Sequence, residues 1–451
     1  MSGIAEVLLN LGFAVSGSDL RSGPTTERLE SLGGKIFIGH DADNISDAEV
    51  VVISSAVKSD NPEVVAARYE GIPVIPRAEM LSELMRMKRG IAVAGSHGKT
   101  TTTSMIAAVL SASDFDPTAI IGGKLNIFGS NAKMGQGEWM VAEADESDGS
   151  FMHLSPTVVV VTNIDREHME YYKDMDKLHD TFVEFMNAVP FYGTVVACID
   201  DPAVRALIPR VKRRVVSYGL SDDADMRALD VHCPGLGCSF VAVRQGRKLG
   251  EVLLDMPGEH NALNALAAIS VAFELGVDFS VASKGLHGFT GIGRRFEVKG
   301  EVRGATVIDD YAHHPTEIRA TLKAARDYMD NAKKGRAGKI VAAFQPHRYS
   351  RTKDLWDEFV NAFGQADLLV VTDIYPAGEA PIEGISGKSL CEAISEKRAE
   401  KGLPTQYAAD LEDVVRIFES EVSIGDLVMT LGAGNIVKAG EDLISAGEKK
   451  G

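Results

Sequence analysis

Ile4, Val7, Leu8 and Leu11 share one face of a helix, and Phe13 to Ser16 then reads as a short strand ending in Gly17-Ser18-Asp19. Short apolar runs at Lys35–Ile38, Val50–Ser54 and Ile72–Ile75, with helical stretches between them, predict a parallel α/β unit ending near Arg89. A second pattern begins at Ile91–Ala94, which runs directly into Gly95-Ser96-His97-Gly98-Lys99-Thr100 and a helix from Thr101 to Leu110. Its later strands are predicted at Trp139–Ala142 and in the β-branched run Thr157–Thr162. The stretch Thr194–Asp255 alternates like a β-rich lobe, and Asn261–Leu275 is Ala/Leu-rich and helical. Past Gly291-Ile292-Gly293, read as a hinge, the pattern restarts with a strand at Ala305–Ile308, a helix from Pro315, and strands at Lys339–Phe344 and Leu368–Thr372. The fold class is therefore α/β, in three domains spanning 1–89, 90–293 and 294–451.

Composition narrows the class. With 45% hydrophobic and 25% charged residues and no apolar run near the ~20 residues that cross a bilayer, the chain reads as soluble and not membrane-bound. No signal peptide is read at its start, and Cys198, Cys233, Cys238 and Cys391 are sparse and scattered, which suits a reducing, cytoplasmic setting better than a disulfide framework. His232, Cys233 and Cys238 lie close together but lack a second pair at matching spacing, so they are not read as a zinc site. A net charge of −17 argues against nucleic acid as a partner. It also makes the few basic clusters informative: Lys99, the pair Arg294 and Arg295, and His347-Arg348 with Arg351.

A strand, a Gly-rich turn ending in Gly-Lys-Thr and a helix make a phosphate cradle: backbone N–H groups and the helix N-terminus face an anion, and Lys99 adds a full charge. The Thr100 hydroxyl is placed to hold Mg²⁺. The common version of this loop has a glycine five residues before Gly98, where this chain has Val93, and Gly95 takes its place. Carboxylate and imidazole groups cluster in Glu143–Asp148 and Asn163–His168, each just after a predicted strand of the same domain, where open α/β sheets bind ligands. Glu143 and His168 are the candidate metal ligands there, His168 being unusual for an oxygen-preferring ion.

Eight segments in order, Met1–Glu6, Gly95–Thr103, Glu143–Asp148, Asn163–His168, Gly258–Asn264, Gly293–Glu297, Asp309–Pro315 and Gln345–Thr352, give the chain a resemblance to the Mur ligases over nearly its whole length. The resemblance implies a Rossmann-like first domain, a central ATP-binding domain with a phosphate loop and a small β-rich lobe, and a Rossmann-like third domain. It implies ATP and Mg²⁺ as cofactors, UDP-N-acetylmuramate and L-alanine as substrates, and an amide bond formed through an acyl phosphate. A monomer or weak homodimer is expected.

Residue by residue, it implies that Gly95, Ser96, His97, Gly98, Lys99, Thr100 and Thr101 line the ATP phosphates, with Thr100, Glu143 and His168 on metal. His260, Asn261 and Asn264 resemble residues lying against adenine, Asp310 the ribose contact, and Arg295 a further nucleotide contact. Tyr311, His313, Arg348 and Arg351 resemble the face that reaches phosphate and amino acid, and Asp19 a contact of the sugar nucleotide. Lys99, His168, His313 and Arg348 are the expected catalytic residues, with His168 and His313 as candidate bases.

Two departures matter. Related ligases carry a carbamylated lysine soon after the histidine, but Lys173 and Lys177 come too early and Leu178–Pro190 holds no lysine, so none is expected and the bridge to a second metal is left open. The family also has a strand and Gly-rich loop immediately before the segment with which this chain begins, so the first domain is expected to lack part of its substrate cradle. A ligase that reattaches recycled peptides to the same sugar nucleotide, and a nucleotide-dependent switch, are the competing readings.

Overall fold

The structure, a computed structural model, describes residues 1–54, 56–122, 132–289, 291–332 and 338–448. They form two compact units, one of residues 1–230, 240–253 and 263–290, the other of 231–239, 254–262 and the segment from Gly291 onward.

The first unit opens with helix α1 (Ser2–Asn10), whose Ile4 and Val7 are buried in the same hydrophobic cluster as Leu81, Leu84 and Met85 of a later helix. Its Glu6 is buried too and accepts two hydrogen bonds from Arg28, at 2.9 and 2.6 Å, which pairs a charge that would otherwise be costly to bury. Strands β1 (Ser16–Asp19) and β2 (Lys35–Ile38) pair in parallel, as do β3 (Val51–Ile53) and β4 (Val74–Pro76), each pair forming a sheet of its own. Helices α2 (Pro24–Ser31), α3 (Pro62–Glu70) and α4 (Arg77–Arg86) lie between and after them. The expected strand at Phe13–Ser16 starts later: Phe13 is exposed and the ladder begins only at Ser16.

The main sheet has ten strands: β5 (Arg89–Ala94), β6 (Thr118–Ile120), β7 (Ala132–Lys133), β8 (Trp139–Glu143), β9 (Val158–Val161), β10 (Thr194–Cys198), β11 (Arg214–Gly219), β12 (Met226–His232), β13 (Cys238–Arg244) and β14 (Arg247–Leu254). Their order is β14-β13-β12-β11-β10-β9-β5-β8-β6-β7, so the β-rich stretch continues the central sheet. The ladders from β6 through β8, β5, β9, β10 and β11 to β12 are parallel. Every residue of β9 and β10 is buried, as expected for parallel strands covered on both faces, and β9 is wholly Val, whose stiff, branched side chain packs well on a pleated surface. Helix α5 (Lys99–Ala112) follows β5 after the glycine turn, and ten of its residues, from Thr101 to Leu110, are buried.

The second unit carries a six-stranded sheet ordered β15-β16-β20-β17-β18-β19, built from β15 (Glu297–Val302), β16 (Ala305–Asp310), β17 (Ile340–Phe344), β18 (Leu368–Thr372), β19 (Thr405–Ala408) and β20 (Leu427–Leu431). It is parallel except at β15, which pairs antiparallel with β16. Cys233 and Cys238 are joined as a disulfide, against the expectation of four independent thiols: the turn between β12 and β13 brings their Cα atoms to 4.0 Å, while Cys198 and Cys391 are free and buried. No described helix is long and apolar enough to cross a membrane.

Candidate active site

The turn between β5 and α5 is shaped by close approach. Gly95 sits at φ +131, where a Cβ would lie 2.2 Å from Thr162 Oγ1, and Gly98 at φ +81, where it would lie 2.7 Å from Asn264 Oδ1. Only glycine satisfies both the dihedral and the space. The loop is clasped from the end of β9: the Ser96 amide donates to Asn163 O, the His97 amide to Asn163 Oδ1 (2.8 Å), and the hydroxyl of Thr162 to His97 O (2.6 Å). His97 Nε2 lies 3.0 Å from Asp165 Oδ2, and the Asp165 amide donates to Ser96 Oγ. No side chain caps the N-terminus of α5, so the amides of its first turn keep the character of an anion cradle.

Within this loop Lys99 donates Nζ to Gly95 O (2.6 Å), Ser96 O (3.2 Å) and Glu146 Oε1 (2.8 Å). Burial opposes its charge, but Glu146, Glu167 and Asp145 together hold the ammonium above its ordinary pKa. Thr100 donates its hydroxyl to Glu143 Oε2 at 3.2 Å, and Glu143 Oε1 accepts the Gly122 amide at 2.6 Å. Thr100 and Glu143, expected on one metal, therefore meet, and their hydroxyl and carboxylate oxygens are the donors Mg²⁺ prefers. His168 groups with Glu146 and Glu167, their ligand atoms lying within 4.8 Å of one another. Its backbone is left-handed at φ 58, a conformation that non-glycine residues rarely hold without a reason in their surroundings. Asn264 accepts the Thr102 hydroxyl (3.1 Å) and so braces the phosphate loop, while Asp19 is exposed at the end of β1 and accepts the Arg21 amide.

Sequence alone assigns no individual role to Glu146, Glu167, Asn163 or Asp165, although it marks the two segments that carry them. The signal is the set of carboxylates clustered just past two apolar strands.

In the second unit Asp310 accepts the amides of Phe296 (2.7 Å) and Ala312 (2.8 Å), tying the turn at Arg294–Phe296 to the one at Tyr311–His313. Burial pushes its carboxyl up to about 6 despite Arg295 nearby. The guanidinium groups of Arg294 and Arg295 lie 5.1 and 5.2 Å from the Tyr311 ring centre, within cation–π range. His313 Nδ1 lies 3.0 Å from Tyr311 O, and its ring meets His347 edge-on at 6.0 Å. His347 stacks on Tyr375 at 5.5 Å, and Arg351 Nη1 lies 3.3 Å from His347 Nδ1. Arg348 is left-handed at φ 73 and sits 3.9 Å from Glu379. Tyr311, His313, Arg348 and Arg351 thus follow the ends of β16 and β17, with Tyr375 and Glu379 added by the loop after β18. His260 is exposed, its ring folded back over Gly258, where a Cβ would lie 2.4 Å from Cε1, and Asn261 donates to Pro257 O.

Comparison with known proteins identifies the family of the chain. Residues 1–89 match the Mur ligase family catalytic domain, 93–272 the Mur ligase middle domain, and 294–434 the Mur ligase glutamate ligase domain. The UDP-N-acetylmuramate--L-alanine ligase of Geotalea uraniireducens is 59% identical over 98% of this chain and 95% of its own length, and that of Geobacter sulfurreducens 56% identical over 99% and 95%. Among solved structures, UDP-N-acetylmuramate-alanine ligase from Thermotoga maritima superimposes with a TM-score of 0.83 at 29% identity, covering 100% of this chain and 97% of that one. A murein peptide ligase from Psychrobacter arcticus gives 0.69 at 25% identity, covering 99% and 96%. Three domain matches in chain order, and near-full-length relatives above half identity, establish that the chain belongs to the Mur ligase family.

Proposed function

We propose that the protein joins L-alanine to UDP-N-acetylmuramate by ATP-dependent amide-bond formation, making a peptidoglycan precursor in the cytoplasm. The observation that carries this reading is the loop in which Lys99 and the Thr100–Glu143 pair stand side by side at the start of α5, in a chain whose near relatives bear that activity by name. A carboxylate is a poor acyl electrophile, and phosphorylation of one of its oxygens by ATP makes it a leaving group. The loop amides and Lys99 bind and orient the phosphates, offsetting charge that builds between two anions. Thr100 and Glu143 are the residues that would hold Mg²⁺, which when bound supplies further charge stabilisation to the phosphoryl group.

The amine of alanine then displaces phosphate. Its ordinary pKa of ~8 leaves part of it neutral at pH 7, so the task of the protein is to place it and not to strip it with a strong base. Arg348 and Arg351 suit the amino-acid carboxylate, which a planar guanidinium grips with two hydrogen bonds. The test is phosphate release by the purified protein with ATP, UDP-N-acetylmuramate and L-alanine varied one at a time. Release should need all three and disappear in Lys99→Ala; release indifferent to both the sugar nucleotide and the amino acid would defeat the reading.

A further inference from the structure

The loop after β18 turns back on itself at Pro376-Ala377-Gly378-Glu379. Ala377 and Gly378 are both left-handed, at φ 48 and 88, and the Glu379 amide donates to Pro376 O at 2.9 Å. Alanine rarely holds that backbone, so the turn is imposed by its surroundings. Two main-chain hydrogen bonds lay this loop along the one that follows β17: the Tyr375 amide donates to Pro346 O (2.8 Å) and the Arg348 amide to Tyr375 O (2.9 Å). Glu379 is thereby delivered to the first turn of the short helix Tyr349–Asp354, where Oε2 accepts the Ser350 amide (3.0 Å) and Oε1 the Ser350 hydroxyl (2.7 Å). Its carboxylate lies 3.9 Å from Arg348, and Glu379, Arg348 and Arg351 all bear on the His347 ring. The other carboxylate of the loop, Asp373, accepts the Tyr407 hydroxyl at 2.6 Å.

We propose that Glu379 sets the charge selectivity of the amino-acid site, admitting an amino acid with one carboxylate and turning away those with two. The inference rests on the function proposed above, in which Arg348 and Arg351 hold the amino-acid carboxylate. Ser350 brings Glu379 only neutral donors, so the carboxylate keeps its charge while its place is fixed. Burial keeps His347 neutral near pH 7, and among the groups that bear on it two guanidiniums then stand against one carboxylate. The surplus of one positive charge matches the single carboxylate of alanine. A second carboxylate on the substrate side chain would meet Glu379 with its own sign, and a group that repels the wrong substrate discriminates without adding any contact to the right one.

The test compares L-aspartate with its neutral isostere L-asparagine, each as a competitor of L-alanine in phosphate release by the full-length protein. Glu379→Gln keeps a side-chain oxygen for the Ser350 amide and removes the charge, and should raise the affinity of aspartate relative to asparagine by roughly tenfold or more. Ser350→Ala loosens the same contact but keeps the charge, so its ratio should stay at the wild-type value. A merely structural role for Glu379 would change both inhibition constants alike and leave the ratio where it was. An unchanged ratio in Glu379→Gln, exclusion of both competitors by wild type and variant, or an equal rise in Ser350→Ala overturns the proposal. The same ratio is also read without turnover, from the shift of the His347 Cε1–H resonance with UDP-N-acetylmuramate and the non-hydrolysable nucleotide AMP-PCP present. A wild type whose phosphate release ignores L-alanine would therefore sink the ligase reading, while the binding ratio still decides this one.

Discussion

Asp310 and His347 are driven by burial in opposite senses. Burial favours the neutral carboxyl of Asp310, raising it from 3.8 to about 6, so between those values the folded chain holds a proton that the unfolded chain releases. Its contribution therefore favours the fold below about pH 4 and is lost as pH rises through about 6, a span worth roughly 3 kcal/mol. Asp310→Asn removes the titration and keeps one carbonyl acceptor. Urea unfolding followed by Trp356, with Trp139→Phe silencing the other tryptophan, should show wild-type stability falling relative to the variant by roughly 3 kcal/mol between pH 4 and 7. A difference that stays flat would mean that the carboxyl is not held neutral. For His347, burial first and then Arg351 and Arg348 lower the imidazole to about 4, so its folded-state contribution is complete above 6.5 and is lost as pH falls through about 4. Its Cε1–H resonance should titrate near 4, and Arg351→Gln should move the midpoint upward without restoring 6.5, because burial is the larger cause. A wild-type midpoint near 6.5 would rule this out.

At the scale of elements, the two kinds of left-handed glycine make a controlled comparison. Gly33 has φ +95 with nothing within 4 Å of an added Cβ, so Gly33→Ala should cost only the dihedral penalty, about 1–2 kcal/mol, and leave phosphate release intact. Gly95→Ala adds a collision with Thr162 Oγ1 and the Asn163 backbone, and should abolish release by displacing the loop. Equal activity in the two variants would deny the turn its role. Elements whose pattern is local are legible in the sequence: β2 falls on Lys35–Ile38 as expected, the Val158–Val161 run is a buried strand, and Gly95–Thr100 is the turn into a helix. What sequence leaves open is set by distant partners. Leu427–Leu431 is wholly buried as β20, yet Leu and Met suit a helix as well, and only pairing with β16 and β17 decides the matter. Spacing does not reveal the Cys233–Cys238 bond, which depends on the turn between two strands. Likewise, the carboxylates of Glu143–Asp148 are legible as a cluster, but that Glu143 meets Thr100 and Glu146 meets Lys99 follows from how the chain leaves β8.

Across the whole molecule, burial is distributed unevenly between sheets. No residue of β1, β2, β3 or β4 is buried, and these strands form two separate pairs. Every residue of β9, β10, β17, β18 and β20 is buried. A two-stranded sheet with little apolar cover is marginal on its own, because its hydrogen bonds remain open to competition from water. The region expected to receive the sugar nucleotide therefore has the least buried strands among the described residues, whereas the phosphate loop springs from β5, five of whose six residues are buried. Hydrogen exchange read by mass spectrometry should find peptides over residues 16–19, 35–38 and 51–53 exchanging at least 100-fold faster than those over β9, β10, β17 and β18, a gap of about 3 kcal/mol in local opening. Saturating UDP-N-acetylmuramate should slow exchange around Asp19 while leaving the buried strands unchanged, since a ligand that binds the closed form adds its own free energy to the opening it blocks. Uniform protection across all the sheets would show that the first four strands are held by more than their own pairing.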